Sequence, residues 1–228
     1  AGTITTDMSS APPTPTNTPA APPTGTPTAT PTSPPGGAAS GNYSGSIVSS
    51  GGSDSYSFTP GAGGSATIGM CATNFGYNFT LKLYAGGSLL GSSSTSSYCQ
   101  WINTTLSSGR GYTVQTTAVS GSGLYRSAWS VNGAPVVWNA AGTIATAGAS
   151  NSFSFPTLRA GPLRISTCGP AGTEFHLALS KGNGTTVASS TAHSNCQSLS
   201  YTVGTPDLFH MVESSVSGSG PYSGSITM

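Results

Sequence analysis

Charged side chains are scarce in this sequence of 228 residues. Asp, Glu, Lys and Arg together make up 5% of it, whereas globular domains average about 25%. Six Lys and Arg residues against five Asp and Glu residues give a formal net charge of +1, and no basic run is present that would neutralise phosphates. We therefore expect no nucleic-acid partner, and solubility must come from the many Ser, Thr and Gly residues.

Long apolar runs are missing too. No stretch approaches the roughly 20 apolar residues that a membrane-spanning helix needs, so we expect no membrane span. The first residues do not have the charged-then-apolar pattern of a signal peptide. The chain begins at Ala1 rather than Met, which adds the expectation of a processed protein that is secreted, either extracellular or on the cell surface.

Groups that could carry catalysis are few. The acids are Asp7, Asp54, Glu174, Asp207 and Glu213, and the histidines are His176, His193 and His210. No Gly-x-Ser-x-Gly turn is followed by a matching acid and histidine, so nucleophilic catalysis has no support. We expect the histidines to be polar surface residues, with a metal or catalytic cluster as the alternative. The sequence therefore predicts no enzyme and no cofactor.

The four cysteines fall at equal spacings. Cys71 and Cys99 are 28 residues apart, and so are Cys168 and Cys196. Four cysteines allow three pairings, of which the equal spacing favours Cys71 with Cys99 and Cys168 with Cys196. A zinc site is the alternative, although no close C-x-x-C pair is present. Disulfides indicate an oxidising compartment, and each loop closure would stabilise the fold by roughly 3.5 kcal/mol.

An internal duplication underlies these spacings. The step from Cys71 to Cys168, and from Cys99 to Cys196, is 97 residues in both cases. The same step places residues 119–125 on residues 216–222, and six of the seven are identical. Matches of this kind run from end to end. The sequence therefore predicts two copies of one domain, residues 41–133 and residues 134–228.

Apolar residues alternate with polar ones within each copy. Phe79, Leu81 and Leu83 have this period of two, which is typical of half-buried strands. Other predicted strands cover residues 45–49, 55–59, 66–71, 101–106, 112–118 and 125–131. Gly-rich and Ser-rich turns separate them, and no helical pattern competes. The predicted fold class is all-β, with two tandem antiparallel β-sandwich domains preceded by an extended N-terminal strand and a Pro/Thr-rich arm.

Each copy resembles the bacterial pre-peptidase C-terminal domain. The likeness lies in residues 45–47, 53–58, 79–84 and 123–125. The resemblance implies a secreted, jelly-roll-like or immunoglobulin-like β-sandwich, often attached to an exported protease, with no catalytic residues to carry over. The disulfide departs from that family's usual pattern, and this sequence contains no protease domain.

Candidate modification sites are numerous. Asn-x-Ser/Thr sequons at Asn42, Asn78, Asn103 and Asn183 are candidate N-glycosylation sites, although some will occur by chance in so Ser/Thr-rich a chain. Pro/Thr-rich runs are also typical of O-glycosylated stalks. The candidate O-glycosylation sites are Thr14, Thr16, Thr18, Thr24, Thr26, Thr28, Thr30 and Thr32. The sequence thus predicts covalent glycans as partners.

Two ligand sites remain alternatives. A calcium site at Asp54 would have Asn151 as its counterpart in the second copy, so the two copies would differ. A sugar-stacking platform could use Trp101, Trp129 and Trp138, but packing in a core or an interface is the favoured interpretation of these residues.

The first 40 residues divide into two parts. Residues 1–10 are a strand-like tip, and residues 11–40 form a Pro/Thr-rich extended linker. Residues 1–6 differ from residues 141–146 at the fifth position alone, so the tip duplicates the opening strand of the second copy. The predicted inter-subunit strand contains Gly2, Thr3, Ile4, Thr5, Thr6 and Met8.

An isolated strand needs a sheet edge to pair with. An extended linker of about 30 residues spans roughly 90 Å, against roughly 30 to 35 Å for one domain. The hypothesis is therefore a homopolymer, similar in principle to strand-linked extracellular fibres, in which the arm of one subunit docks on the next. The alternative is a secreted accessory or adhesive module with a plain linker.

Overall fold

The structure is a computed structural model that describes residues 38–74, 76–190 and 192–228. These residues lie in one compact unit and form sixteen strands without a helix. The protein is therefore all-β, with β-sandwich-like domains, as the alternating pattern predicts. The inter-subunit strand and the candidate O-glycosylated threonines lie outside the described residues.

Repeat 1 contains the first eight strands, all in antiparallel pairs. They are β1 (Ser40–Ile47), β2 (Ser53–Phe58), β3 (Gly64–Ala72), β4 (Asn78–Ala85), β5 (Ser88–Ser93), β6 (Cys99–Leu106), β7 (Tyr112–Ser120) and β8 (Gly123–Val131). Sheet A has the order β1-β8-β3-β6, and sheet B has the order β2-β7-β4-β5. The two sheets enclose one apolar core.

Repeat 2 contains the other eight strands. They are β9 (Val137–Ile144), β10 (Ser150–Pro156), β11 (Gly161–Cys168), β12 (Glu174–Lys181), β13 (Thr186–Ser189), β14 (Cys196–Val203), β15 (Leu208–Ser217) and β16 (Gly220–Thr227). Sheet C has the order β9-β16-β11-β14, and sheet D has the order β10-β15-β12-β13. Strand for strand, this is the order of repeat 1, so the duplicated sequence has a duplicated topology.

The alternating residues fill the cores. Phe79, Leu81 and Leu83 of β4 are fully buried between sheets A and B. Trp129 stacks on Phe58 with ring centroids 4.4 Å apart. Each buried aromatic or aliphatic side chain contributes roughly 1.5 to 3 kcal/mol by leaving water, so the two-residue period is what holds each pair of sheets together.

Two details of the strands differ from the sequence prediction. The first strand was predicted over residues 45–49, but β1 runs from Ser40 to Ile47, because its polar first half pairs with β8 from Ser40 opposite Ser130. Ser49 instead lies in a turn, where its carbonyl accepts the Gly52 N–H at 3.0 Å. Strand β5 was not predicted, because residues 88–93 have no alternation and Leu90 is an extra residue in its pairing with β4.

A glycine in each opening strand lies under a tyrosine ring. A Cβ atom at Gly45 would lie 2.5 Å from Cζ of Tyr125, and one at Gly142 would lie 2.8 Å from Cε1 of Tyr222. The isoleucine two residues later is buried in both repeats. The pattern Gly-x-Ile therefore occurs in the first strand of both repeats, and the arm contains the same pattern as Gly2-Thr3-Ile4.

We expect Gly45→Ala to destabilise the protein by roughly 1 to 3 kcal/mol, because the added methyl group overpacks a fully buried tyrosine. Gly111→Ala is the matched control, since nothing lies within 4 Å of a Cβ atom there. Thermal unfolding of both variants checks this. Equal melting temperatures for the two would show that the ring does not require the glycine.

Candidate functional site

The outer face of sheet A, which points away from the repeat 1 core, is covered by repeat 2. Gly69 and Ala128 on this face are both buried. A Cβ atom at Gly69 would lie 2.6 Å from Cδ2 of Leu158, which follows β10. The disulfide Cys71–Cys99 on the same face packs against Leu208 of β15. The two repeats therefore share a packed interface.

Hydrogen bonds across this interface fix the register of the repeats. Tyr98 donates its hydroxyl to Oδ1 of Asp207 at 2.9 Å, and Trp101 donates its indole N–H to the Thr157 carbonyl at 3.2 Å. Burial, together with this carboxylate, raises the pKa of Tyr98 to about 12. The hydroxyl therefore stays protonated and remains a donor at any physiological pH.

A cation and an aromatic ring add to the interface near β10. The guanidinium of Arg126 lies 4.3 Å from the ring centroid of Phe153, a contact worth roughly 0.5 to 2 kcal/mol. Burial lowers the pKa of Arg126. This ring belongs to repeat 2 and the cation to repeat 1, so the contact also joins the repeats.

Among the residues that the structure describes, none covers the equivalent face of repeat 2, on sheet C. Ser166 stands where repeat 1 has Gly69, Ser198 where it has Trp101, and Ser225 where it has Ala128. A groove of about 400 Å³ runs over this face. Its polar lining consists of Arg164, Ser166, Ser198, Ser200, Ser225 and Thr227. The duplicated faces have therefore diverged, one into an interface and the other into a hydroxyl-rich surface.

The disulfide pairing is the one that the equal spacing favours. Cys71 is bonded to Cys99, and Cys168 to Cys196. Each bridge joins directly opposed residues of neighbouring strands, β3 with β6 and β11 with β14. The first bridge is buried, whereas both cysteines of the second are exposed.

The structure does not bring the histidines together. His193 is exposed and pairs with Glu174, whereas His210 is half-buried and its Nδ1 lies 2.8 Å from Oγ of Ser154. His176 is exposed on β12. Within the described residues, no group of three or more His, Cys, Asp or Glu side chains could hold a metal ion.

The other predicted ligand residues are used for packing. Asp54 accepts the hydroxyls of Tyr125 at 3.0 Å and Tyr43 at 3.2 Å, so its carboxylate is occupied inside repeat 1. Trp129 is in the repeat 1 core, and Trp138 is in the repeat 2 core. Because Trp101 contacts repeat 2, the three tryptophans form no common platform.

The four sequons differ in how their amides are used. Asn42 donates its amide to the Val137 carbonyl at 2.7 Å, a contact between the repeats. Asn103 is exposed, and its side-chain oxygen accepts the Thr67 hydroxyl at 2.8 Å. Asn183 is exposed in the β12–β13 turn, and Asn78 is half-buried at the start of β4. Glycosylation of these four residues stays a prediction.

No family model matches the chain. No curated protein matches it either. Among solved structures it is similar to the pre-peptidase C-terminal domain of collagenase from Bacillus anthracis, with a TM-score of 0.34 and 17% identity over 39% of this chain and 87% of that one. This likeness is to the domain family that the strand motifs resemble.

Two further solved structures are similar over most of the chain. The major capsid protein P2 of bacteriophage PM2 has a TM-score of 0.26 and 10% identity, covering 82% of this chain and 97% of that one. The PBSX exported protein XepA has a TM-score of 0.27 and 8% identity, covering 82% and 86%. TM-scores this low carry no argument about function.

Sequence reasoning missed the buried carboxyl of Glu213. It lies between sheets C and D with no exposed surface, and Thr167 donates its hydroxyl to Oε2 at 2.9 Å. Burial raises the pKa of Glu213 to about 7, against the lowering effect of Thr167. Its counterpart in repeat 1 is Thr116, and that departure inside a strand of alternating residues was the available signal.

We expect mild reductant under native conditions to open Cys168–Cys196 at least about tenfold faster than Cys71–Cys99, because exposed disulfides are the labile ones. Alkylation and peptide mass spectrometry measure both rates. Leu208→Ala uncovers the buried bridge and should accelerate its reduction. Equal rates in the unaltered protein would contradict the difference in burial.

We expect stability to fall as the pH rises from about 4.5 to about 7, because the folded state holds the Glu213 proton in that window and the unfolded state does not. Glu213→Gln should remove roughly 2 kcal/mol of this dependence. Melting temperatures at pH 5 and pH 8 measure it. Burial lowers the pKa of His210, which acts in the opposite direction. The difference between the protein and its variant therefore isolates Glu213, and parallel curves would be the contrary result.

Proposed function

We propose that this protein is the structural subunit of an extracellular filament, in which the N-terminal strand of one subunit docks on its neighbour and the arm can carry glycans. In this proposal it is non-catalytic and its main partner is itself. The two disulfides support an oxidising, extracellular location. In the part of the chain that the structure describes, no helix is long and apolar enough to cross a membrane.

The observation that carries the proposal is the near-identity of residues 1–6 to residues 141–146. In repeat 2, this segment forms the second half of β9 and the turn after it, with Ile144 buried. The arm therefore has the side chains of a strand that is stable only beside another strand. We do not expect a segment with this pattern to serve only as a flexible linker.

The described sandwiches have no vacancy for a first strand. β1 already pairs with β8, and β9 already pairs with β16, along their whole lengths. The arm would therefore add to a free sheet edge rather than complete a sandwich. Edge addition of this kind is head-to-tail, and repetition generates an open filament when the contacts do not close into a ring.

A non-catalytic accessory or adhesive module is the second candidate. The groove on sheet C favours it, because hydroxyl groups and Arg164 line an open surface to which a carbohydrate or protein could bind. A monomer at all concentrations, with the arm cleaved readily by proteases, would support that reading over the filament.

We expect Ile4→Asp to abolish filament formation by the full chain, because a charge replaces the one aliphatic side chain of the docking strand. Thr5→Ala is the matched control, since residue 145 of β9's following turn is alanine, and it should assemble normally. Electron microscopy and light scattering measure assembly. Unchanged filaments for Ile4→Asp, or for a chain without residues 1–10, would refute the proposal.

A further inference from the structure

We propose that the acceptor for the docking strand is the free edge of β14, and that the occupant is residues 2–7 of a second copy of this chain. This inference rests on the proposed function and adds to it the place where the arm binds. The docked strand would extend sheet C from four strands to five, on the side away from β11.

The edge of β14 is long, regular and uncharged. Its eight residues pair with β11 without a register shift, from Val203 opposite Gly161 to Cys196 opposite Cys168. None of the described strands lies on its other side in sheet C. Neither Pro nor any charged residue occurs in β14, so the devices that usually protect sheet edges from strand addition are missing.

Three other sheet edges, those of β5, β13 and β6, are less suitable for the addition of a strand. β5 and β13 both contain a bulge in their pairing, at Leu90 and Val187, which twists an edge away from a partner. β6, the counterpart of β14, has its outer face covered by repeat 2, by Leu208 beside Cys99 and by Thr157 at Trp101, which restricts access to that edge.

The four remaining edges are also impeded. β10 ends in Pro156 and packs against β8 and β3 of repeat 1. β2 directs the polar Asp54 inward, which is another protective device. β1 and β9 contact each other through the bond from Asn42 to the Val137 carbonyl. Of the edges in the described ranges, β14 is therefore the one with neither a protective feature nor a covering.

The side-chain pattern of the arm matches that of β14. Ser198, Ser200 and Thr202 point to solvent, whereas Leu199 and Val203 are buried on the inner side. In an added strand, Thr3 and Thr5 would continue the hydroxyl-rich face. Ile4 would then lie beside Leu199 and the half-buried Tyr201, where the core reaches the open edge of the sandwich.

Charge also favours this occupant. Arg164 is opposite Ser200 in the β11–β14 pair and points to the same outer face. In the arm, Asp7 has the parity of Thr3 and Thr5, so it would lie on that face. The opposite charges of Asp7 and Arg164 would attract each other across that face.

The arm is long enough to reach a second molecule. Residues 8–37 at about 3.1 Å each span roughly 90 Å, more than twice the roughly 35 Å of one sandwich. The described chain enters repeat 1 at Ala38, whose carbonyl accepts the Gly61 N–H at 2.8 Å, whereas β14 belongs to repeat 2. A neighbour's β14 is therefore within range of the arm.

The first test compares two matched substitutions in the full chain. Ser200→Glu places a charge on the proposed edge beside Arg164, and Asn103→Glu places it at the equivalent position of β6. We expect the critical concentration for assembly to rise at least about tenfold for Ser200→Glu and to stay unchanged for Asn103→Glu. Equal melting temperatures of the unassembled proteins confirm that both fold.

The outcomes separate this inference from the proposed function. If Ile4→Asp abolishes assembly while Ser200→Glu leaves it unchanged, the arm drives assembly but binds elsewhere, and the β14 assignment is overturned. If Ile4→Asp leaves assembly unchanged, the proposed function itself fails. If hydrogen exchange shows the β14 amides that face away from β11 protected equally in dilute monomer and in filaments, no second copy occupies this edge on assembly, and the second-copy assignment is overturned.

A charge reversal identifies the occupant directly. Arg164→Asp and Asp7→Lys should each weaken assembly, and the double variant should recover most of the loss, because the pair is restored with opposite polarity. No recovery in the double variant, with both single variants impaired, would show that Asp7 does not lie on the sheet C face.

Discussion

The contact between repeat 2 and the outer face of sheet A determines the arrangement of the described chain. A β-sandwich has two outer faces and several open edges, and each must either tolerate water or find a partner. Here the covered face has Gly69 and Ala128, which give Leu158 room, and a disulfide that packs against Leu208. The equivalent face of repeat 2 has serines instead. The same outer face is therefore an interface in repeat 1 and a hydroxyl-rich surface in repeat 2.

The duplication made much of this fold predictable. Equal cysteine spacing predicts both disulfides, and the alternation around Phe79 and Phe175 predicts strands β4 and β12. Alternation of apolar and polar residues predicts a strand where one side of the strand is buried and the other is exposed to solvent. It fails for β5, whose two leucines at positions 89 and 90 are both exposed at an edge, because a strand with no buried side leaves no pattern.

The surfaces were harder to predict, because an interface appears only when two distant segments meet. Trp101 lies on an alternating strand and looks like a core residue, yet its indole bonds the Thr157 carbonyl of the other repeat. Glu213 also lies in an alternating strand. A buried carboxyl cannot be told from an exposed one there, because both are simply polar residues in the sequence. Differences between equivalent positions of the two copies do mark these sites in the sequence. Repeat 1 has Trp101 where repeat 2 has Ser198, and it has Thr116 where repeat 2 has Glu213.

The covered disulfide restricts the order in which the chain can fold and form its disulfides. Cys71 and Cys99 are open to oxidants and thiols only until repeat 2 packs on sheet A, because the bridge is buried in the folded chain. Once Leu208 has packed against the bridge, thiols and isomerases lose access to it. A wrong pairing in repeat 1 must therefore be corrected before repeat 2 is complete, whereas Cys168–Cys196 stays open to repair throughout the life of the protein.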